Sequence, residues 1–404
     1  MKAILKDGFF SIFNKACYFG IRLLIIFFYS KASADNKFAT FIYVVNLVEI
    51  GRLLIDFGID TVYIRTLSLA DPAEEKRILN IIFNLKIGMG LIGYVVVMLI
   101  SFCTLGLSNI PIVALSGLIL PLAANSLFIG VYFQAKGKNM LLSPFWAGAS
   151  LLNLGLIFCI GNKEWLYGEY LFSELSFLLA GILAIRIYFP FSMRPKFSLS
   201  SIKSVYTETK FAGISQAITT FYGKTDIVFI EKLSQRLYVA EYGFFNRITD
   251  PFFMISSALS TAAYSFFSKR IDVLHPDEFW KKAKMLLLYS AFYAVTIALV
   301  IIFLIPFLLH VFGSKYNMSL SIALGFGIAT FLRVFNGVIT SLYFTLGMYN
   351  FTFRLSILNI ALLVAAYFLF IPSLQLQGVL LSIVIAEFVS LLIKCFYLKR
   401  SISR

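Results

Sequence analysis

Apolar runs of about 20 residues alternate with short polar connections along the whole chain. A helix of about that length crosses ~30 Å of hydrocarbon, and a helix satisfies its own backbone hydrogen bonds there. No connection is long enough to fold alone. We therefore predict an all-α integral membrane protein with about twelve spans: Phe9–Phe28, Ala39–Gly58, Ile81–Cys103, Ile110–Phe133, Leu141–Ile160, Trp165–Phe189, Phe211–Ile230, Val239–Phe267, Met285–Phe312, Leu320–Phe344, Phe351–Ile371 and Gly378–Phe396.

The composition agrees with this pattern, because 60% of the residues are hydrophobic and only 14% are charged. The longest connections, after spans 6 and 8, are both basic. The positive-inside rule then places them, and both chain termini, in the cytoplasm. The same bias accounts for the net charge of +15, so we do not expect nucleic acid as a partner. The first apolar run has no small-residue cleavage site after it, and we expect it to be a retained span.

The two halves of the sequence resemble each other. Residues 150–156 (SLLNLGL) match residues 356–362 (SILNIAL), and Tyr132 and Asn139 match Tyr343 and Asn350. Spans 2 and 8 align at a similar offset. We predict a six-plus-six duplication with an N-terminal lobe at 1–190, a basic cytoplasmic linker at 191–210 and a C-terminal lobe at 211–404. Parallel repeats of this kind are typical of transporters that alternate access between their halves.

The most polar stretch among the apolar runs extends from 222 to 251. It places Lys224, Asp226, Glu241, Arg247 and Asp250 within or at the ends of two predicted spans. A charged side chain at the bilayer centre costs about 3 kcal/mol on insertion scales, so such residues normally face a protein interior or a wet cavity. The stretch predicts the lining of a polar path.

Other predicted spans also contain charged residues. In span 2, Arg52 lies one turn from Asp56 on a polar side, which fits either a cavity wall or an internal ion pair. Four cations, by contrast, have no acid in good helical register: Lys15, Arg22, Lys224 and Arg333. We therefore predict a cationic chamber suited to an anionic substrate with phosphate groups, with interhelical hydrogen bonding as the alternative explanation.

The remaining motifs do not indicate a nucleotide-binding, metal-binding or catalytic site. The glycines of Gly88–Gly93 fit a dinucleotide fingerprint, but they lie inside an apolar span and predict close helix packing instead. The four cysteines are scattered in apolar segments, and we expect them to be small core residues. The two histidines lie in no ligand or triad spacing. We expect no metal, no cofactor and no enzyme activity.

Two motifs carry a family resemblance. The segment 54–65 (LIDFGIDTVYIR), and Asp226 followed by 241–248 (EYGFFNRI), resemble the polysaccharide-export branch of the multidrug/oligosaccharidyl-lipid/polysaccharide (MOP) exporter superfamily. Within that branch the chain is most similar to Wzx-type flippases.

The resemblance implies a V-shaped bundle in the bacterial cytoplasmic (inner) membrane. Its substrate would be an undecaprenyl-diphosphate-linked oligosaccharide repeat unit of O-antigen or capsule, moved from the inner to the outer leaflet. Its partners would be membrane lipids, a polysaccharide polymerase and a chain-length regulator. The residues carried over as substrate contacts are Arg22, Arg52, Lys224, Arg247 and Arg333.

The remaining candidate residues follow from the same function. For ion coupling they are Asp56, Asp226 and Asp250, which can equally be static counter-ions. For sugar they are Tyr222, Tyr242, Tyr264 and Asn336, because a tyrosine ring packs on a pyranose face while its hydroxyl hydrogen-bonds.

Two other functions stay open. A cation-coupled multidrug exporter of the same superfamily is expected to have an acid-rich cavity, whereas span 1 carries Lys15 and Arg22. An O-antigen polymerase is the enzyme alternative, but it usually has a sizeable external loop, and every predicted external connection here is short.

Overall fold

The computed structural model describes residues 2–60, 62–63, 67, 70–105, 110–161, 165–189, 203, 205–207, 209–210, 213–214, 224–250, 252, 276–311, 313–346 and 348–402. Throughout these residues the regular secondary structure is helical and no strand occurs. The prediction of an all-α protein is therefore confirmed. The chain forms two compact units, Met1–Lys224 and Thr225–Arg404.

The first unit contains seven described helices, which follow the first six predicted spans. They are α1 (Lys2–Ala32), α2 (Asp35–Asp56), α3 (Pro72–Leu105), α4 (Ile110–Gly117), α5 (Ile119–Ala135), α6 (Asn139–Cys159) and α7 (Leu166–Tyr188). Helices α4 and α5 together make one predicted span with a short interruption. Helix α3 begins nine residues before the predicted span. Its first turn is charged, with Glu74 and Glu75, so the helix extends beyond the apolar run.

The second unit contains six described helices. They are α8 (Asp226–Leu233), α9 (236–250), α10 (Pro276–Leu299), α11 (Ile305–Val311), α12 (Leu320–Thr345) and α13 (Tyr349–Ile402). A π-helical turn, Val300–Leu304, joins α10 to α11. Helix α13 breaks at Gln375, whose φ of 52° and ψ of −125° are not helical, so it covers both of the last two predicted spans.

Seven described helical stretches are long and apolar enough to cross a membrane, when α4 is counted with α5, and α10 with the π-helical turn and α11. Helices coincide with every predicted span, although spans 7 and 8 lie largely outside the described residues. The boundary between the compact units falls inside predicted span 7. Part of the predicted 191–210 linker belongs to the first unit, where Val205 and Thr209 are buried. The lobe and linker limits at 1–190, 191–210 and 211–404 stay a prediction.

Close helix packing at Gly90 is confirmed. A Cβ atom there would lie 2.6 Å from the Cα atom of Pro121, so α3 and α5 meet at a distance that only glycine permits. The prediction that the cysteines are core residues is wrong for three of them, since Cys103, Cys159 and Cys395 are exposed. In a membrane helix both the lipid face and the core face are apolar, so hydrophobicity does not separate them.

Candidate functional site

The first unit buries an ion pair between α1 and α7. Arg22 is 5% exposed and Glu174 is fully buried, and the guanidinium pairs with the carboxylate. The Tyr18 hydroxyl donates a hydrogen bond of 2.7 Å to Glu174 Oε2, and Ser126 Oγ donates another of 3.3 Å. The Arg22 guanidinium also lies 4.1 Å from the centre of the Tyr18 ring. One carboxylate thus holds α1, α5 and α7 together.

A second buried group lies where α2 ends. Lys86 of α3 is 1% exposed, and its Nζ lies 3.0 Å from Asp56 Oδ1 and 2.6 Å from Asp60 Oδ1. Its ammonium also stands 5.0 Å from the centre of the Phe128 ring. Asp56, a predicted coupling residue, is therefore held by a cation of the neighbouring helix. Lys86 is not among the residues predicted above, although it is a lysine inside an apolar run.

Lys224 makes a third set of polar contacts in the first unit. Its Nζ lies 3.0 Å from Glu49 Oε2, and its backbone carbonyl accepts a hydrogen bond of 2.7 Å from Asn46 Nδ2. Both partners lie on the polar side of α2 that the sequence predicted. Arg52, on the same side, is half-buried.

The second unit buries the predicted residues Asp226 and Tyr242 side by side. Asp226 is 1% exposed, Tyr242 is fully buried, and the Tyr242 hydroxyl donates a hydrogen bond to Asp226 Oδ2. The ring of Tyr242 stacks on Phe326 of α12 with 5.6 Å between centres. Tyr367 is also fully buried, and its hydroxyl has no hydrogen-bond partner among the described residues. Asp226 and Tyr242 thus join the start of α8 to α9.

A chain of polar contacts joins α12 to the end of α13. Arg333 Nε lies 3.4 Å from Glu387 Oε1, and Asn336 Nδ2 donates a hydrogen bond of 2.7 Å to Glu387 Oε2. Lys394 Nζ donates to the Asn336 carbonyl over 3.4 Å, while its own carbonyl accepts from Tyr343 at 2.6 Å. Two predicted contacts, Arg333 and Asn336, therefore share one glutamate.

Both units contain a buried glutamate on a late helix. Each places a buried glutamate of a late helix, Glu174 or Glu387, against an arginine and against a polar residue of an earlier helix, Ser126 or Asn336. In each unit, the tyrosine that the sequence paired with its counterpart in the other half donates a hydrogen bond through its hydroxyl. The arginines lie on different helices of the two halves, α1 and α12, and the tyrosines donate to different acceptors, the Glu75 side chain and the Lys394 carbonyl, so the contacts repeat only in part.

Arg22, Lys224 and Arg333 have no acid in register on their own helices, but each lies beside a carboxylate from another helix. Helical register reveals partners only within one helix. Glu174 was missed, although an acid inside predicted span 6 was a visible signal. The roles of these cations and of Arg52 and Arg247 as substrate contacts stay predictions.

The remaining candidates are Arg247, Asp250, Tyr222 and Tyr264. Arg247 and Asp250, on α9, are half-buried. Tyr222 and Tyr264 lie outside the described residues. Within the part of the chain that the structure describes, no group of three or more His, Cys, Asp or Glu side chains is arranged to hold a metal ion.

Comparisons with known proteins place these contacts in a transporter fold. Residues 212–367 match the MatE family model. The chain resembles an inward-facing multidrug resistance MATE family transporter of the MOP superfamily, with a TM-score of 0.71 and 13% identity over 97% of this chain and 98% of that one. MATE transporter structures have 12 helices in two halves. We find no match among curated proteins.

Two further structures are similar over nearly their whole length. The MATE multidrug transporter DinF-BH, solved in complex with a ligand, gives a TM-score of 0.66 and 17% identity over 99% of this chain and 95% of that one. A MOP superfamily transporter from Pyrococcus furiosus, described as having a binding pocket of reverse polarity that suggests a different function, gives 0.65 and 14% over 100% and 96%. The MatE match over residues 212–367 supports a transporter, and the fold shared with these structures extends over nearly the whole chain.

Proposed function

We propose that this protein is a cation-coupled exporter of the multidrug type, working by alternating access between its two halves. The observation that carries the proposal is the MatE match over residues 212–367, together with the MATE fold along the whole chain. These comparisons favour the multidrug exporter over the lipid-linked oligosaccharide flippase.

The ion pairs agree with this choice. A chamber that attracts a diphosphate needs positive charge in excess. Arg22, Lys224 and Arg333 each have an acidic partner within 4.0 Å, which cancels much of their field. The described interior is therefore closer to neutral than the sequence predicted.

The flippase of undecaprenyl-diphosphate-linked repeat units is the second candidate. Its support is the number of cations on the helices, since Arg22, Lys86 and Lys394 are all less than a tenth exposed. A pair of this kind can exchange its carboxylate for a substrate phosphate when the helices move, because arginine binds both oxyanions in the same geometry. The Pyrococcus furiosus neighbour with the reverse-polarity pocket is a precedent for such variation in the fold.

Deleting the gene in its host separates the candidates. A multidrug exporter predicts greater susceptibility to cationic dyes and more dye inside the cells, with surface polysaccharide unchanged. A flippase predicts loss of surface polymer and accumulation of lipid-linked repeat units on the cytoplasmic side. A host that shows neither phenotype would contradict both.

Point variants then test the predicted contact residues. We expect Lys224→Ala and Arg247→Ala to abolish transport while membrane insertion is kept, with Lys76→Ala, at an exposed lysine of α3, as the control. Wild-type transport by both variants would remove these two cations from the substrate path.

A further inference from the structure

Glu169 of α7 is a buried acid with no role so far in the proposed function. It is 6% exposed. Its Oε1 atom is shielded from solvent and has no hydrogen-bond partner, and no described residue forms a hydrogen bond or ion pair with the side chain. A buried carboxylate without a partner is costly in a membrane protein, so such an acid either binds a cation or holds a proton.

The other buried acids are all satisfied. Among the described residues that are less than a tenth exposed, Glu174 pairs with Arg22, Asp56 with Lys86, Asp226 accepts from Tyr242, and Glu387 lies beside Arg333 and Asn336. Each of these carboxylates has a cation or a hydrogen-bond donor beside it. Glu169 is the exception in the described part of the chain.

The helices packed against α7 offer no described counter-ion. On α1, Arg22 is committed to Glu174, and Lys15 and Lys31 are exposed. Helix α2, whose Phe41 meets Tyr170, carries Lys37, which lies near Tyr167 and is exposed. Its other titratable groups are Asp35, Tyr43, Glu49, Arg52 and Asp56. On α4, α5 and α6 no described side chain is charged. The uncharged titratable groups on α1, α5 and α6 are Cys17, Tyr18, Tyr29, Tyr132 and Cys159. On α7 itself, Tyr167 and Tyr170 flank Glu169, and their rings lie 6.0 Å from Tyr29 and 5.5 Å from Phe41 of α2.

We propose that Glu169 is the proton-carrying residue of the first unit. It is a neutral carboxylic acid in the conformation seen here, and it releases its proton to water on the cytoplasmic side in an inward-open conformation that hydrates this part of α7. The carboxylate takes a proton from water on the outer side in the outward-open conformation, so one proton crosses the membrane inward in each cycle of export. This proposal rests on the proposed cation-coupled export, for which it names the ion and the residue.

The surroundings favour a proton over a metal cation. Calcium ions need several oxygen ligands, and no group of three or more His, Cys, Asp or Glu side chains among the described residues is arranged to hold a metal ion at Glu169. The three acids that the sequence suggested for coupling differ from it: Asp56 and Asp226 are satisfied by Lys86 and Tyr242, and Asp250 is only half-buried.

Infrared difference spectroscopy tests the proton directly and needs no substrate. The full chain in lipid nanodiscs at neutral pH should show a protonated-carboxyl stretching band that is absent in Glu169→Gln and retained in Glu74→Gln, whose side chain is exposed. Glutamine keeps the shape of a neutral glutamic acid, so we expect the variant to elute as the wild type does in size-exclusion chromatography. A band of equal intensity in the wild type and Glu169→Gln would overturn the proposal.

Transport of ethidium, a cationic dye, into inverted membrane vesicles tests the coupling. We expect Glu169→Gln to lose at least tenfold of the proton-driven uptake, and Glu169→Asp to restore part of it with a shifted pH profile. Uptake and proton release by Glu169→Gln equal to the wild type would refute the coupling role. If the wild type moves no dye, the multidrug function fails, while the infrared band still decides whether Glu169 carries the proton.

Discussion

Replacing Arg22 by alanine tests whether this cation holds the first unit together or binds substrate. The variant leaves Glu174 fully buried with two neutral donors, Tyr18 and Ser126, and no counter-charge. Breaking a buried ion pair by removing one partner costs about 3–5 kcal/mol. That is a large part of the roughly 5–15 kcal/mol by which folded domains are typically stable.

The magnitude translates into a measurable melting shift. For units of roughly 150–250 residues, each kcal/mol moves the melting temperature by about 2–4 °C, so Arg22→Ala should lower it by at least about 6 °C. We would follow the monodisperse size-exclusion peak of the detergent-solubilised protein after heating. Arg22→Met combined with Glu174→Gln should recover most of the loss, because glutamine is neutral and still accepts from Tyr18 and Ser126.

The outcome separates structure from function. If Arg22→Ala melts as the wild type does and yet transports nothing, the ion pair is not the main role of Arg22 and the guanidinium reaches the substrate. If the double variant is no more stable than Arg22→Ala, the cost does not arise from the stranded carboxylate.

Three other substitutions probe neighbouring contacts. Lys86→Met strands two carboxylates at the end of α2 and should destabilise the protein by about 3 kcal/mol, seen as earlier loss of the monodisperse peak; an unchanged peak would mean that water solvates them. Tyr242→Phe removes a hydrogen bond to a buried carboxylate and should cost about 1–3 kcal/mol, whereas Tyr367→Phe, at an equally buried ring without a described partner, should cost little; equal melting would argue against the bond. Gly90→Ala should lower expression and melting temperature because its Cβ collides with the α5 backbone, while Gly148→Ala, with nothing within 4 Å, should not.

The helical framework was predictable because length and hydrophobicity alone define a span. Helix ends were less predictable, as α3 shows: its first turn is charged, so the helix continues where the apolar run has already stopped. The break at Gln375 was expected only as a gap between two spans. The π-helical turn at Val300–Leu304 comes just before Pro306, whose missing N–H was its signal in an otherwise unbroken apolar run.

Side-chain partners were the least predictable feature. The sequence shows that Arg22 lacks an acid one turn away, but Glu174 is brought to it by the packing of α1 on α7. Helical register predicts which residues of one helix lie close together, but it does not predict contacts between different helices. Glu169 and Glu174 look alike in the sequence, and only their surroundings show that one is paired and the other is not.

The pairing of distant helices sets an order of events during synthesis. Tyr18 and Glu174 are separated by 156 residues, so Arg22, on the same helix as Tyr18, enters the membrane long before its carboxylate is made. At about 5–20 residues per second the delay is roughly 8–30 s. In the second unit only 51 residues separate Asn336 from Glu387. A nascent chain therefore carries an uncompensated guanidinium through most of the first unit's insertion, and α1 can settle in place only after α7 has arrived.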